Sequence, residues 1–237
     1  MGMATRRWVW WARGLGLVAV AAATAVIALA IQHEEPDRRT PREREAALLT
    51  AGEYPPGYEV DRLVDGVSPP TATAQDEYPP FDPATCGELL ELGPRAKPGN
   101  GGVGALAGIP TSAGNLTTWT TTDYTQLIIS AGEADWDAGH AARLVADCGT
   151  ATAHDGEVGL TLTAQRLPLS DAVGPDSVAY TVAMAQDDGI GYHTAVAVER
   201  VAGQLVVLQA ATFAEFDVAE FLELATAATH KVQAELG

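Results

Sequence analysis

The run Gly14–Ile31, GLGLVAVAAATAVIALAI, constrains this chain most: it carries no charge, and its one polar side chain is the hydroxyl of Thr24. As a helix, its eighteen residues would rise about 27 Å, enough to cross the hydrocarbon core of a bilayer. Arg6, Arg7 and Arg13 precede the run, and Gln32, His33, Glu34 and Glu35 follow it. This charge bias predicts that residues 1–13 are cytoplasmic and that everything beyond Ile31 is exported. Two readings of the run stay open. Trp8, Trp10 and Trp11 suit the headgroup layer and favour a single-pass anchor, whereas Ala28-Leu29-Ala30 is a signal-peptidase pattern that would release the protein after cleavage near Ala30. A buried core helix does not fit, because residues 14–31 have no polar face.

Charge narrows the partners. The whole chain carries −17, and residues 46–237 hold 26 acidic against 7 basic side chains. Such a surface repels nucleic acid and anionic headgroups, and no basic stripe overrides it. Those 192 residues suffice for one domain with its own core. Residues 32–45 are dominated by charge and proline and read as a linker that cannot repay the entropy of ordering. The predicted organisation is therefore a cytoplasmic stub (1–13), a membrane segment (14–31), a linker (32–45) and an extracytoplasmic domain (46–237).

The chain has two cysteines, Cys86 and Cys148, and in an oxidising compartment an even count points to one disulfide. Metal binding is the alternative, but there is no CxxC and no histidine at ligand spacing from either cysteine.

Within the domain, Ala46–Thr50 predicts a short helix, Tyr58, Val60 and Leu63 a short strand, and the prolines up to Pro80 a loop. Asp82-Pro83 reads as a cap and first turn, giving a helix over 83–92. The glycine-rich run 98–108 reads as a flexible turn; it lacks the Lys-Ser/Thr of a phosphate loop. Residues 116–129 favour a strand. Residues 135–148 predict a helix with Trp136, His140, Leu144 and Cys148 along one stripe. Four alternating runs, 158–167, 177–186, 192–201 and 204–212, predict an antiparallel meander, with Ala202-Gly203 as a tight turn. Asp217 and Glu220 form a capping-box pair opening a final amphipathic helix to Leu236. The fold class expected is α+β, a twisted antiparallel sheet with helices packed on one side, preceded by one transmembrane helix.

Chemical motifs are absent: no GxSxG, HExxH, SxxK, kinase signature or CxxCH occurs. No catalytic, metal or cofactor residues are therefore assigned. His140 on its helical stripe reads as a core histidine, with a buried catalytic base as the alternative. His154 and His193, with Asp155, Asp187 and Asp188 nearby, are the other candidate bases for a hydrolase. Trp119 and Tyr124 are candidate groove aromatics, or else cross-strand core pairs.

Leu48-Leu49-Thr50, then Pro56-Gly57-Tyr58-Glu59-Val60, Cys86 with Leu89-Leu90, Cys148 at a helix end, the hairpins and the helix from Asp217 come in an order and spacing that resemble the PknH-like extracellular sensor domain. That domain occurs on actinobacterial membrane kinases and in stand-alone envelope proteins. The resemblance covers about residues 46–236. It implies a twisted antiparallel sheet with helices on one side, a ligand cleft and no catalytic residues. It commonly carries two disulfides, of which this chain has cysteines for one. The function it implies is a non-catalytic, extracytoplasmic sensor-like domain that binds an envelope lipid, glycan or peptide, or a membrane protein partner. A secreted or tethered hydrolase and a structural envelope protein are the alternatives.

Overall fold

The strands over 204–212 and 191–201 are apolar on both alternations. Leu205 and Val207 point to one side of the sheet, Val206, Leu208 and Ala210 to the other, and all five are buried. Strands of this kind require cover on both faces. In the computed structural model of the chain they receive it. The structure describes residues 39–63, 80–90, 92, 95–96, 102–109, 121–132, 134–155, 158–169, 176–187, 191–214 and 216–237, all within one compact unit, Arg38–Gly237.

The strands are β1 (Glu59–Leu63), β2 (Arg95–Ala96), β3 (Val103–Gly108), β4 (Asp123–Ser130), β5 (Ala134–Asp135), β6 (Thr150–Asp155), β7 (Val158–Leu167), β8 (Val178–Gln186), β9 (Gly191–Val201) and β10 (Gln204–Thr212). The helices are α1 (Pro41–Ala46), α2 (Ala138–Asp147) and α3 (Val218–Leu236). Eight strands form one sheet in the order β1-β3-β4-β10-β9-β8-β7-β6, with every neighbouring pair antiparallel. β2 and β5 pair separately. The predicted meander is β7 to β10, closed at one end by the two-residue turn Ala202-Gly203, where both residues have positive φ (50° and 74°) as the tight primed turn requires.

The helices do not share one side, as the sequence suggested. α2 and a 3-10 turn over Ala84–Leu90 lie on one face with Leu160, Leu162, Tyr180, Val196 and Val207. α1 and α3 lie on the other with Tyr124, Ile128, Ala195, Val206 and Leu208. The reason is the two-sided apolarity of β9 and β10: with all helices on one face, the other set of alternating side chains would be left in water.

Three local expectations are also corrected. Asp82 does not cap a helix, because its backbone N–H and C=O pair with Thr152, and the turn that follows is 3-10. The glycine-rich run holds strand β3. Gly104 sits so close to β4 that a Cβ there would meet the Leu127 side chain at 2.8 Å, so glycine is present for close strand approach. Residues 39–45, assigned to the linker by composition, are ordered. Thr40 and Glu43 form a reciprocal capping box at the start of α1. Arg44 is buried, donating from Nε to Gln204 Oε1 at 3.1 Å, and the Leu49 N–H donates to Gln126 Oε1 at 2.8 Å. Arg39 donates to the carbonyls of Ala202 and Leu236. Leu48 and Leu49, both 0 % exposed, then fill the α3 side of the core.

Cys86 and Cys148 are bonded. The bridge ties the 3-10 turn to the C-terminal cap of α2, with Phe81, Leu89, Leu144 and Val145 packed around it. Among the described residues no helix is long and apolar enough to cross a membrane; the run 14–31 lies outside them.

Two predictions follow from this packing. The bridge closes a loop with a sequence separation of 62, for which loop-closure entropy is worth about 4 kcal/mol. Replacing both cysteines by alanine should lower the melting temperature by roughly 8–16 °C, read by calorimetry under non-reducing conditions. The second concerns Glu199, a buried carboxyl on β9 that accepts a hydrogen bond from Thr229 of α3 at 2.8 Å. Burial raises its pKa above the ordinary 4.5, opposed by the Thr229 hydroxyl and the nearby His230. Above 4.5 the folded state therefore holds more proton than the unfolded state, and this group costs stability as pH rises through that window. Glu199→Gln should melt higher than the parent at pH 7 and match it below about pH 4.

Candidate functional site

On the α1/α3 face, α3 packs chiefly across β10 and β9; at one end Leu167 of β7 and Ala179 of β8 are buried on this face as well, and beyond them β6, β7 and β8 are more exposed. The alternation of those strands shows the consequence. In β7, Leu160, Leu162 and Ala164 are buried toward α2, while Thr161, Thr163 and Gln165 face the uncovered side. In β6, Ala151 and Ala153 are buried and Thr150, Thr152 and His154 are exposed. The register sets Thr150, Thr163, Ala183 and His193 opposite one another in a row across four strands. Neighbouring members of such a row stand about 4.8 Å apart.

A groove of about 700 Å³ lies along this row, with Thr163, Gln165, Thr181, Ala183 and His193 on the strand side and Phe216 and Val218 from the start of α3 on the other. Asp217, the cap of α3, accepts from the N–H groups of Ala219 and Glu220 and fixes this rim. The described lining holds no carboxylate, lysine or arginine, although the chain as a whole carries −17. Its polar groups are hydroxyls, an amide and one imidazole, all able to donate and accept. No cluster of His, Cys, Asp and Glu suited to a metal ion occurs among the described residues.

The three candidate histidines fall in different places. His193 is in the groove. His154 is on the same sheet face, opposite Gly159 on β7. His140 is not a core residue: its side chain is 48 % exposed on the first turn of α2, with Nε2 3.4 Å from Glu88 Oε2. The helical stripe had placed it inside, but it lies on the exposed side of the turn that Asp137 caps, beside Glu88. The sheet separates α2 from the groove, so His140 and His193 do not act together. Of the acids, Asp187 accepts from the Gly159 N–H at 3.1 Å and serves the β7–β8 end; Asp188 and the side chain of Asp155 lie outside the described residues, as does Trp119.

Tyr124 is not a groove residue. It is 1 % exposed, with its ring 5.8 Å from that of Tyr54 and 5.6 Å from that of Tyr58, and its hydroxyl donates to Glu220 at 2.6 Å. Glu220 is thus drawn away from the capping box that the sequence suggested. Burial and the Glu220 carboxylate push the Tyr124 phenol well above its ordinary range, and burial raises Tyr54 to about 12, so both stay neutral. The groove residues Thr163, Thr181, Gln165 and Phe216 were not singled out from the sequence. Their signal was the polar alternation of β7 and β8, which reads equally well as an ordinary solvent face.

Neither a protein-family model nor a curated protein matches the chain. Solved structures do. The extracellular domain of PknH from Mycobacterium tuberculosis superposes with a TM-score of 0.50 at 12 % identity, covering 84 % of this chain and 100 % of that one. A putative uncharacterized protein from Mycobacterium smegmatis matches with a TM-score of 0.48 at 14 % identity, over 84 % of this chain and 98 % of that one. At such identities the likeness is one of fold: this chain has the fold of a PknH-like extracellular domain.

Proposed function

We propose that residues 39–237 are an extracytoplasmic, sensor-like binding domain, tethered to the membrane by residues 14–31, and that the groove beside α3 is its binding site. The observation that carries the reading is the groove: a concave site of about 700 Å³ on a rigid sheet, with a few convergent polar groups. Three things support the placement outside the cytoplasm. They are the Cys86–Cys148 bridge, which belongs to oxidising compartments, the fold of an extracellular domain, and the charge bias around the apolar run. The domain binds without transforming its ligand, in line with the missing catalytic motifs.

Two measurements test this reading. A reporter active only outside the cytoplasm, fused after Gly237, should give signal in cells; a silent but well-expressed fusion reverses the topology. Thermal melts of the full chain in detergent, against fractionated envelope lipids, glycans and peptides, should find a ligand that stabilises by about 2.7 kcal/mol at 100 times its dissociation constant. Ala183→Trp, which fills the groove floor, should leave the ligand-free melt within a few degrees and remove the ligand shift. Stabilisation that persists in this variant puts the binding site elsewhere.

A further inference from the structure

We propose that the groove takes a neutral, polyhydroxylated ligand, a saccharide, laid across strands β7 to β9 with one apolar ring face against Phe216. This rests on the reading of the groove as the binding site. It follows from what the lining offers and what it withholds.

Anions and cations are disfavoured first. A phosphate or carboxylate ligand calls for arginine, lysine or a helix N-terminus with free N–H groups. The described lining has no basic side chain but His193, and the N–H groups of Ala219 and Glu220 in the first turn of α3 are taken by Asp217. A cationic ligand calls for carboxylates, and the described lining holds none, although 31 acidic residues are distributed over the chain. An acyl chain calls for a continuous apolar wall, whereas here Thr163, Gln165 and Thr181 interrupt it. A peptide bound as an added strand calls for exposed main-chain groups along an edge. This groove runs across the strands and presents side chains: Thr163 and His193 flank Ala183 in one row, and Gln165 and Thr181 are paired in the next.

What remains fits a sugar. Each threonine hydroxyl, the glutamine amide and the imidazole can both donate and accept, as can every sugar hydroxyl, so pairing requires no charge on either side. Hydroxyls set on rigid strands are held by the ladder and lose little freedom on binding. Ala183 and Val218 leave room between them, and Phe216 supplies a flat apolar surface for the C–H face of a pyranose ring.

The test uses the full chain in detergent micelles with maltotriose, cellotriose and mannotriose as neutral probes. Trigalacturonate, chitotriose in its deacetylated cationic form, trialanine and phosphatidylglycerol vesicles are the comparators. Saturation-transfer NMR and calorimetry read the binding. At least one neutral trisaccharide should bind at millimolar concentration or below, more tightly than every comparator. Thr163→Val with Thr181→Val keeps strand shape and should weaken it on the order of tenfold or more, as should Phe216→Ala. If the double variant fails to fold, the exposed Gln165→Ala supplies the same reading. Preference for a charged sugar, the peptide or the vesicles, with that binding lost in Ala183→Trp, overturns the saccharide assignment and leaves the groove as a binding site. Trisaccharide binding unchanged in all of these variants overturns it too. Failure of every probe and every envelope fraction to show binding sensitive to Ala183→Trp overturns both.

Discussion

The structure depends on β9 and β10 being buried on both faces. Side chains such as Leu205 and Val206 are successive in sequence, point in opposite directions and are both inaccessible to water. Fully burying each such residue is worth about 1.5–3 kcal/mol, so the pair of strands demands a layer above and a layer below. α3 supplies one layer; on the other side Val196, Val198, Leu205 and Val207 are buried in the cluster built around α2 and the disulfide-linked 3-10 turn, with Leu127 and Ile129 of β4. The remaining strands extend this core outward, and the N-terminal segment completes it. Gln126 on β4 and Gln204 on β10 stand buried in the α1/α3 layer and satisfy Leu49 N–H and Arg44 Nε. Without residues 39–49, those amides would lose these partners in an apolar interior, which is costly.

The groove has its origin in the same arithmetic. Eight strands span roughly 34 Å across the sheet, whereas one helix covers about 10–12 Å. On the α2 face the helix and the 3-10 turn sit over β7 and β8. On the other face α1 and α3 gather over β3, β10 and β9. The offset leaves β6 and the stretches 161–165 of β7 and 181–185 of β8 less covered on that face, although Leu167 and Ala179 at the end of the same strands are buried there. There the alternation turns polar, with Thr161, Thr163 and Gln165 in place of aliphatic side chains, and the helix rim makes the uncovered strip concave.

Much of the fold was legible in the sequence, because its signals are local. Strand alternation located β7 to β10, Ala202-Gly203 marked their tight turn, Asp217 opened α3, and an even count of two cysteines pointed to the bridge. What was missed depends on partners far along the chain. Arg44 looks like linker charge until Gln204, 160 residues away, accepts from it. Gly104 looks like a flexible turn until β4 comes alongside. Tyr124 looks like an exposed aromatic until Tyr54, Tyr58 and Glu220 surround it. His140 lies on an apolar stripe, but a stripe gives the direction of a side chain and not the extent of the neighbour that must cover it. The groove was the least legible feature, since a threonine on a solvent face and a threonine lining a site have the same sequence pattern.

α3 runs from the groove to the N-terminal segment of this domain. Its first residues, with Phe216 before them, form the rim of the groove. Its last turn lies beside the N-terminal segment, where Arg39 reaches the Leu236 carbonyl and Lys231 pairs with Glu53 at 2.6 Å. Glu53 is held well enough by Lys231 and the Thr50 hydroxyl and N–H for its pKa to fall despite partial burial. Nineteen residues of helix span about 28 Å, and Phe221, Leu224, Ala228 and Val232 lock the length between onto the sheet. A helix fixed in this way moves as a rigid body or not at all. An occupant of the groove can therefore influence the chain at residue 39 only by the difference in its affinity for two positions of α3.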